Sequence, residues 1–243
     1  MYAELVDLVA TRLGGWNPHR GRPRALPLAR AVHLVVFLLR HNLAQAAAAE
    51  VYGISQASVS RLYNRLTPVI SLAVGELVPS LAASAGRVLL VDGTFVPTFN
   101  WKAVEDLYSG KHHDHGANVQ VVADTTGRAV AVGPPQPGAR HDSRAFTDTG
   151  LAELLTDIPA LADTGYLGHD QLHTPPRKQP GRDRTAADKQ SASAIATIRW
   201  AVEQAIAHLK NWKILATRYR GPWHKLATVI HAVASLELFL TWA

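Results

Sequence analysis

Arg87-Val88-Leu89-Leu90-Val91-Asp92-Gly93-Thr94 is the stretch whose reading decides the fold. Four consecutive apolar residues, two of them β-branched, run into a carboxylate and a glycine. A short continuous apolar run bounded by turn signals reads as a strand covered on both faces. Asp is almost never fully buried unless it is paired or bound to a metal. Asp92 is therefore either the turn partner of Gly93 at a strand end or a carboxylate held for chemistry. Alone, the stretch favours the turn. Two more carboxylates downstream, in equally unusual places, shift the balance.

Residues 117–124 alternate as a strand, Thr125-Thr126-Gly127 turns the chain, and residues 128–132 return, which is a hairpin. Residues 142–155 read as one helix with Asp142 as its N-cap. Residues 158–161 form a short apolar strand that ends in Ala162-Asp163-Thr164-Gly165-Tyr166. A helical crossover makes this strand parallel to the Asp92 strand. As neighbours, the two strands would deliver Asp92 and Asp163 to the same sheet end, where α/β folds place their sites. Residues 191–212 and 224–242 are long helices, and the first carries Glu203 among small and apolar neighbours. Arg199 lies one turn before Glu203 and Lys210 two turns after it, so a surface ion pair with Arg199 is the plain reading of Glu203. The segment at 177–190 is polar, basic and expected to be mobile.

Upstream the pattern is helical throughout. Residues 1–13 place Leu5, Leu8, Val9 and Leu13 at helical spacing, and Gly14-Gly15 ends the helix. Residues 17–27 form a loop with Arg20, Arg22 and Arg24, followed by Arg30, which is either a solvated linker or a basic arm for a phosphate backbone. Helices follow at 28–40, 43–51 and 56–66. The last two are separated by Tyr52-Gly53-Ile54-Ser55, with Gly53 suited to close one helix and Ser55 to cap the next. That is a helix-turn-helix outline. On the third helix Val59, Leu62 and Leu66 point inward, leaving Gln56, Ser58, Ser60, Arg61, Asn64 and Arg65 outside. A donor-rich face without acid suits a recognition helix in a major groove, although a plain three-helix bundle would share the spacing. Residues 68–78 read as a further helix, and residues 79–86 as a domain boundary.

Composition narrows the classes. The 243 residues are 47% hydrophobic and 18% charged, ordinary for a globular chain. Lys and Arg number 25 against 19 Asp and Glu, a mild excess that suits a polyanion. The absence of cysteine excludes disulfides and thiolate zinc sites, and His112, His113 and His115 lack an apparent fourth ligand. The start of the chain carries Glu4 and Asp7 and no continuous apolar core, so no cleavable signal is expected. The apolar runs at 31–39 and 226–242 are interrupted by His33, His231 and Glu237, so no membrane span is expected. A cytoplasmic protein is expected.

Three carboxylates without a histidine pair or a thiol make an oxygen-only set, which suits Mg²⁺ or Mn²⁺. Two such ions clamp the attacking and leaving oxygens of an in-line phosphoryl displacement.

Six motifs now stand in order: Val91-Asp92-Gly93-Thr94, Tyr108-Ser109-Gly110-Lys111, residues 118–124, Gly138-Ala139-Arg140-His141-Asp142-Ser143, Ala162-Asp163-Thr164-Gly165-Tyr166, and Val202-Glu203-Gln204 with Leu209-Lys210. Together they resemble the DDE transposases of bacterial insertion sequences, in the branch related to Harbinger-type elements, from residue 28 to the C-terminus. The resemblance implies an α/β ribonuclease H-like catalytic domain, a mixed sheet flanked by helices, preceded by an all-α helix-turn-helix domain. The expected divisions are 1–27 for the first helix and basic arm, 28–79 for the DNA-binding domain and 86–243 for the catalytic domain. Asp92, Asp163 and Glu203 become the implied catalytic, metal-binding triad for two Mg²⁺ or Mn²⁺ ions, supported by Asp142 and His141. Asp142 is a rival for the second carboxylate; Asp163 is preferred because it ends a strand beside the first. The expected DNA contacts are Gln56, Ser58, Arg61, Asn64, Arg65, Lys111, Arg199 and Lys210. The expected partner is double-stranded DNA, both the terminal inverted repeats of an element and its target, engaged by a homo-oligomer at the bacterial nucleoid. The expected activity is metal-dependent strand cleavage and transfer. A domesticated or inactive DNA-binding descendant is the alternative. One departure stands out: residues 204–207 are Gln-Ala-Ile-Ala, where the family usually has a basic or bulky aromatic side chain.

Overall fold

Leu5 and Val9 lie one turn apart, and both are buried on the inner face of α1 (Tyr2–Leu13), which Gly14 closes in the left-handed conformation. In the computed structural model the described residues are 1–17, 23–76, 81–84, 86–99, 101, 104–176 and 185–242. The expected basic-arm residues Arg20 and Arg22, boundary residues 79, 80 and 85, and residues 177–184 of the expected mobile segment lie outside them.

The next helices follow the apolar spacing. α2 (Leu28–His41) buries Val32, Val35 and Leu39 and ends on Asn42 with φ 50°. α3 (Gln45–Tyr52) packs through Ala48 and Ala49 and closes at Gly53, whose φ is 66°. Ser55 then caps α4 (Gln56–Gly75), its Oγ accepting from the Ser58 N–H at 3.2 Å. Gly53 and Ser55 thus hold the positions expected of them. The separate helix expected from residue 68 does not exist: α4 runs on through Pro68. An interior proline costs about 3 kcal/mol. Here Val59, Leu62 and Leu66 before it and Ile70, Ala73 and Val74 after it form one buried stripe. Each large member contributes roughly 1.5–3 kcal/mol, so burial wins.

The sheet begins where the apolar run does. β1 (Leu89–Pro97) is followed by the short β2 (Tyr108–Ser109) and the long β3 (Asp114–Asp124). β3 lies antiparallel to β1 over its last nine residues and turns at Gly127 into β4 (Ala129–Val132), the expected hairpin. β5 (Gln136–Pro137) adds two residues beside β3. α5 (Asp142–Asp148) and α6 (Leu151–Leu154) replace the single helix expected at 142–155, because Gly150 adopts φ 75° between them. β6 (Ala160–Leu161) then lies parallel to β1, and β7 (Leu172–His173) parallel to β6. The order β4-β3-β1-β6-β7 is a mixed sheet. Leu89, Val91, Phe146, Leu155, Ala160 and Tyr166 form the core between the sheet and α5–α6.

α7 (Ala186–Lys210) starts five residues earlier than the apolar spacing suggests. The cause is a reciprocal cap, Thr185 Oγ1 accepting from the Asp188 N–H while Asp188 Oδ2 accepts from the Thr185 N–H, each at 3.1 Å. The short α8 (Lys213–Ala216) and the apolar α9 (Leu226–Trp242) complete the chain. The two interruptions in α9 are satisfied: His231 bonds Ser71 on α4, and Glu237 accepts from Trp212 Nε1 at 2.7 Å. None of the described helices is long and apolar enough to cross a membrane.

By their contacts the residues form two units, Met1–Val78 with Leu209–Ala243, and Pro79–His208. The sequence reading extends the catalytic domain to residue 243. The contacts group residues 209–243 with the N-terminal helices instead, through α9 packed on α4 and α8 packed on α2.

Candidate active site

Side chains alternate across a strand, so the even and odd residues of β1 serve different faces of the sheet. Leu89 and Val91 join the α5–α6 core, which puts Gly93 on that face and Asp92 on the other. The register that pairs Leu89 with Ala160 and Leu90 with Leu161 carries Asp92 level with Asp163 two residues on. Asp163 leaves the end of β6 as the cap of a 3-10 turn, its Oδ1 accepting from the Gly165 N–H at 2.7 Å. Its Oδ2 is left for other work. Asp92 Oδ1 likewise accepts from the Gly93 N–H at 2.8 Å, which leaves its own Oδ2 outward.

Arg199 of α7 reaches both remaining oxygens. Its Nη2 lies 3.1 Å from Asp92 Oδ2 and its Nη1 3.9 Å from Asp163 Oδ2. The bland pairing of Arg199 with Glu203 is therefore not the one made. One guanidinium joins two carboxylates that would otherwise repel, and the arrangement is half-buried: the side chains are 18%, 34% and 27% exposed for Asp92, Asp163 and Arg199. Burial raises the Asp92 pKa above its ordinary value; Arg199 and the Gly93 N–H pull it down, and Asp163 pushes it further up. Arg199 is not fully satisfied either, since its buried Nε has no hydrogen-bond partner among the described residues.

The donor set fits a hard divalent cation. Two carboxylates at one sheet end, each with an oxygen committed to the backbone and another turned toward a shared positive charge, could supply part of the oxygen shell of such an ion. Glu203 is exposed on α7 one turn beyond Arg199, and among the described residues no three His, Asp or Glu side chains converge on one point. The structure brings Asp92 and Asp163 together and leaves Glu203 outside the pair.

Asp142 belongs to the opposite face. A Cβ built on Gly93 would meet Asp142 Oδ1 at 2.3 Å and Gln120 Nε2 at 3.0 Å, so both side chains cover β1 on its odd side. Asp142 does not cap α5 as expected. His141 holds the N-cap position without a side-chain bond, and Asp142 is the first helical residue. Its carboxylate instead ends a directed chain. Tyr166 Oη donates to Gln120 Oε1 at 2.6 Å, Gln120 Nε2 donates to Asn118 Oδ1 at 2.8 Å, and Asn118 Nδ2 donates to Asp142 Oδ1 at 2.8 Å. Lys111 lies 3.5 Å from Asp142 Oδ2 and is largely exposed. Burial, with the nearby carboxylates, raises the Tyr166 pKa and keeps the hydroxyl a donor. Lys111, Arg140, His141 and Asp142 line a cleft of about 420 Å³ on this side. The sequence reading missed Asn118, Gln120 and Tyr166. The signal was present: two amides spaced by two within residues 117–123, otherwise valine and alanine.

In the other unit, Gln56, Arg61, Asn64 and Arg65 are exposed on α4 and Ser58 is half-buried. Arg61 Nη2 donates to Ser58 Oγ at 3.1 Å. Arg24 and Arg65 both approach the Trp16 ring, at 4.8 and 6.0 Å. Lys210 also falls in this unit, where its ammonium donates to the Leu215 carbonyl at 3.2 Å and burial lowers its pKa to about 8.

Comparison with known proteins agrees with this geometry. Residues 91–237 match the family described as DDE superfamily endonuclease. The chain is 32% identical over 209 residues, covering 85% of this chain and 78% of the other, to the protein assigned as transposase for insertion sequence element IS112 of Streptomyces albus G. The matched span opens on the apolar run before Asp92 and includes Asp163, Arg199 and Glu203. The chain belongs to the DDE superfamily endonucleases, among the transposases of bacterial insertion sequences.

Proposed function

We propose that the protein binds the terminal inverted repeats of a mobile element and catalyses their metal-dependent cleavage and transfer to target DNA. The observation that carries this reading is the pairing of Asp92 with Asp163 on adjacent parallel strands, each presenting one oxygen to the same positive charge. Asp92 and Asp163 would hold the ion or ions, Mg²⁺ or Mn²⁺, and Glu203, exposed on α7 and outside the pair in this structure, would be the third ligand only after moving toward them. When bound, the metal supplies Lewis-acid stabilisation of the attacking and leaving oxygens of a phosphodiester. The remaining roles belong to the chain. Arg199 neutralises the two acids, and a guanidinium at this place would also favour a phosphodiester brought to them. Its unpaired Nε supports that second role, because the present pairing leaves a donor unused. The Tyr166–Gln120–Asn118–Asp142 chain covers β1 from behind, on the face opposite Asp92, and stiffens the strand that carries it.

The strand order β4-β3-β1-β6-β7, with carboxylates on β1 and just after β6, supports a ribonuclease H-like domain. The capped α3–turn–α4 pair with its acid-free outer face supports a helix-turn-helix reader. Joining two element ends requires at least two copies of the chain on DNA, at the nucleoid. The test is cleavage of a labelled duplex carrying the element's end, compared with a scrambled duplex, in Mg²⁺ and in a chelator. The reading expects cuts at the element end only with metal. Cuts that survive chelation, or that ignore the end sequence, would overturn it.

A further inference from the structure

Residues 204–236 contain no Asp or Glu but carry Lys210, Lys213, Arg218, Arg220 and Lys225. Part of that run, residues 217–225, folds into a fixed turn against the N-terminal helices. Asn42, at the end of α2, donates through Nδ2 to Thr217 Oγ1 at 2.7 Å and to the Arg218 carbonyl at 3.0 Å. Arg220 Nε donates back to the Asn42 carbonyl at 3.3 Å. Tyr219 is buried, and a Cβ on Gly221 would fall 2.2 Å from its hydroxyl, so only glycine fits the turn. Lys225 Nζ then donates to Asn64 Oδ1 on α4 at 2.7 Å.

This turn forms one wall of a cleft of about 420 Å³ whose other wall is the Gln56, Ser60 and Asn64 side of α4. The opposite flank of the same helix opens into a second cleft, of about 660 Å³, with Arg24, Arg61 and Arg65. Neither cleft has an acidic residue in its lining. The outer ridge of α4 therefore has cations on both sides, delivered by three separate stretches of chain. A helix in a major groove about 12 Å wide is bounded on both sides by phosphates. Among the described residues no ion pair joins Arg24, Arg61, Arg65, Arg220 or Lys225 to a carboxylate, and neither cleft lining holds one.

We infer that Arg220 and Lys225 of the C-terminal turn grip one phosphate backbone of duplex DNA while Arg24, Arg61 and Arg65 grip the other, with the α4 ridge between them. This rests on the reading of α4 as the DNA-facing helix. It makes the reader bipartite: the first 78 residues hold only part of it, and the chain beyond the catalytic unit supplies the rest. The C-terminal contacts fix register and orientation without reading sequence, as phosphate contacts do.

The test uses the full chain, a short labelled duplex with the element's end, and a scrambled duplex, over about 50 to 200 mM salt. Arg220→Gln with Lys225→Gln should weaken both duplexes by the same factor, on the order of tenfold, and flatten the slope of log affinity against log salt by about 2. Lys225→Gln alone should flatten it by about 1. Arg220→Lys with Lys225→Arg keeps both charges and should restore the wild-type slope even where packing of the turn changes. Unaltered affinity and slope in the folded glutamine variants, with Arg61→Ala still weakening binding, would overturn this inference and leave the α4 reader standing. Failure of the wild-type chain to bind duplex in a salt-dependent manner would overturn both. A folded charge-retaining variant with the flattened slope would show that the turn acts through packing alone, and the inference would fail.

Discussion

Two carboxylates flank β1, and their surroundings differ in kind. Asp142 ends a chain of donors that begins at Tyr166, with an amide on one oxygen and an exposed lysine near the other. Asp163, on the far side, has one oxygen on the backbone and the other held toward a guanidinium shared with Asp92. The first acid is held by a neutral amide on one oxygen and has only an exposed lysine near the other. The second is balanced by one guanidinium that it shares with Asp92. On the proposed reading, the carboxylate that ends a strand beside another would take the metal, and the one held by amides would support the fold.

Substitution of each acid separates the two regions most sharply. Asp92→Asn and Asp163→Asn should each lower end cleavage at least about 100-fold, the loss typical of removing one charge-stabilising group. Both variants should fold. Asp142→Asn should retain cleavage within a few-fold and lose about 1 kcal/mol of stability, since the amide oxygen still accepts from Asn118 while the Lys111 pair is gone. Cleavage assays with thermal unfolding check both halves.

The counter-ion comes next. Arg199→Gln should lower the stability of the metal-free protein by on the order of 1–3 kcal/mol, less than for a fully buried pair because the site is partly solvated. Added Mg²⁺ should return most of that loss, because it replaces the missing charge. Unfolding curves with and without metal test this, and a loss that metal leaves untouched would mean that Arg199 acts by packing.

Two glycines probe the same difference through the space around each acid. A methyl at Gly93 would meet Asp142 and Gln120, at 2.3 and 3.0 Å, inside a close-packed layer. Gly93→Ala should therefore cost roughly 1–3 kcal/mol of stability. A methyl at Gly165 would meet Asp163 Oδ1 at 2.8 Å, the far end of one half-exposed side chain. Gly165→Ala should leave stability within about 1 kcal/mol yet reduce cleavage, because a small shift of a positioned group is costly to chemistry. Equal behaviour of the two variants would erase the difference between the regions.

The fold was legible wherever apolar spacing or a cap was strong. The hairpin at 125–127, Gly53 and Ser55 stand where the sequence puts them, but β1 does not end at Asp92 as the sequence reading has it: it runs on through Gly93 to Pro97, because β3 pairs with it along its whole length. Pro68 misled because a proline penalty is visible in sequence, whereas the buried stripe that outweighs it is a tertiary quantity. Gly150 was overlooked inside an otherwise helical pattern. Asp142 was taken for a cap because helix starts favour it, but Asn118 lies across the sheet, beyond any local rule. Arg199 was assigned to DNA or to Glu203, and its position over Asp92 and Asp163 depends on the packing of α7.

The most direct measurement is thermal unfolding of the metal-free full chain titrated with Mn²⁺. A ligand that binds only the native state stabilises it, by about 2.7 kcal/mol at a hundred times its dissociation constant. The wild type and Asp142→Asn should gain stability together along the titration, while Asp92→Asn and Asp163→Asn should stay nearly flat. A full gain in Asp163→Asn combined with a flat response in Asp142→Asn would contradict the account and move the metal to the other face of β1.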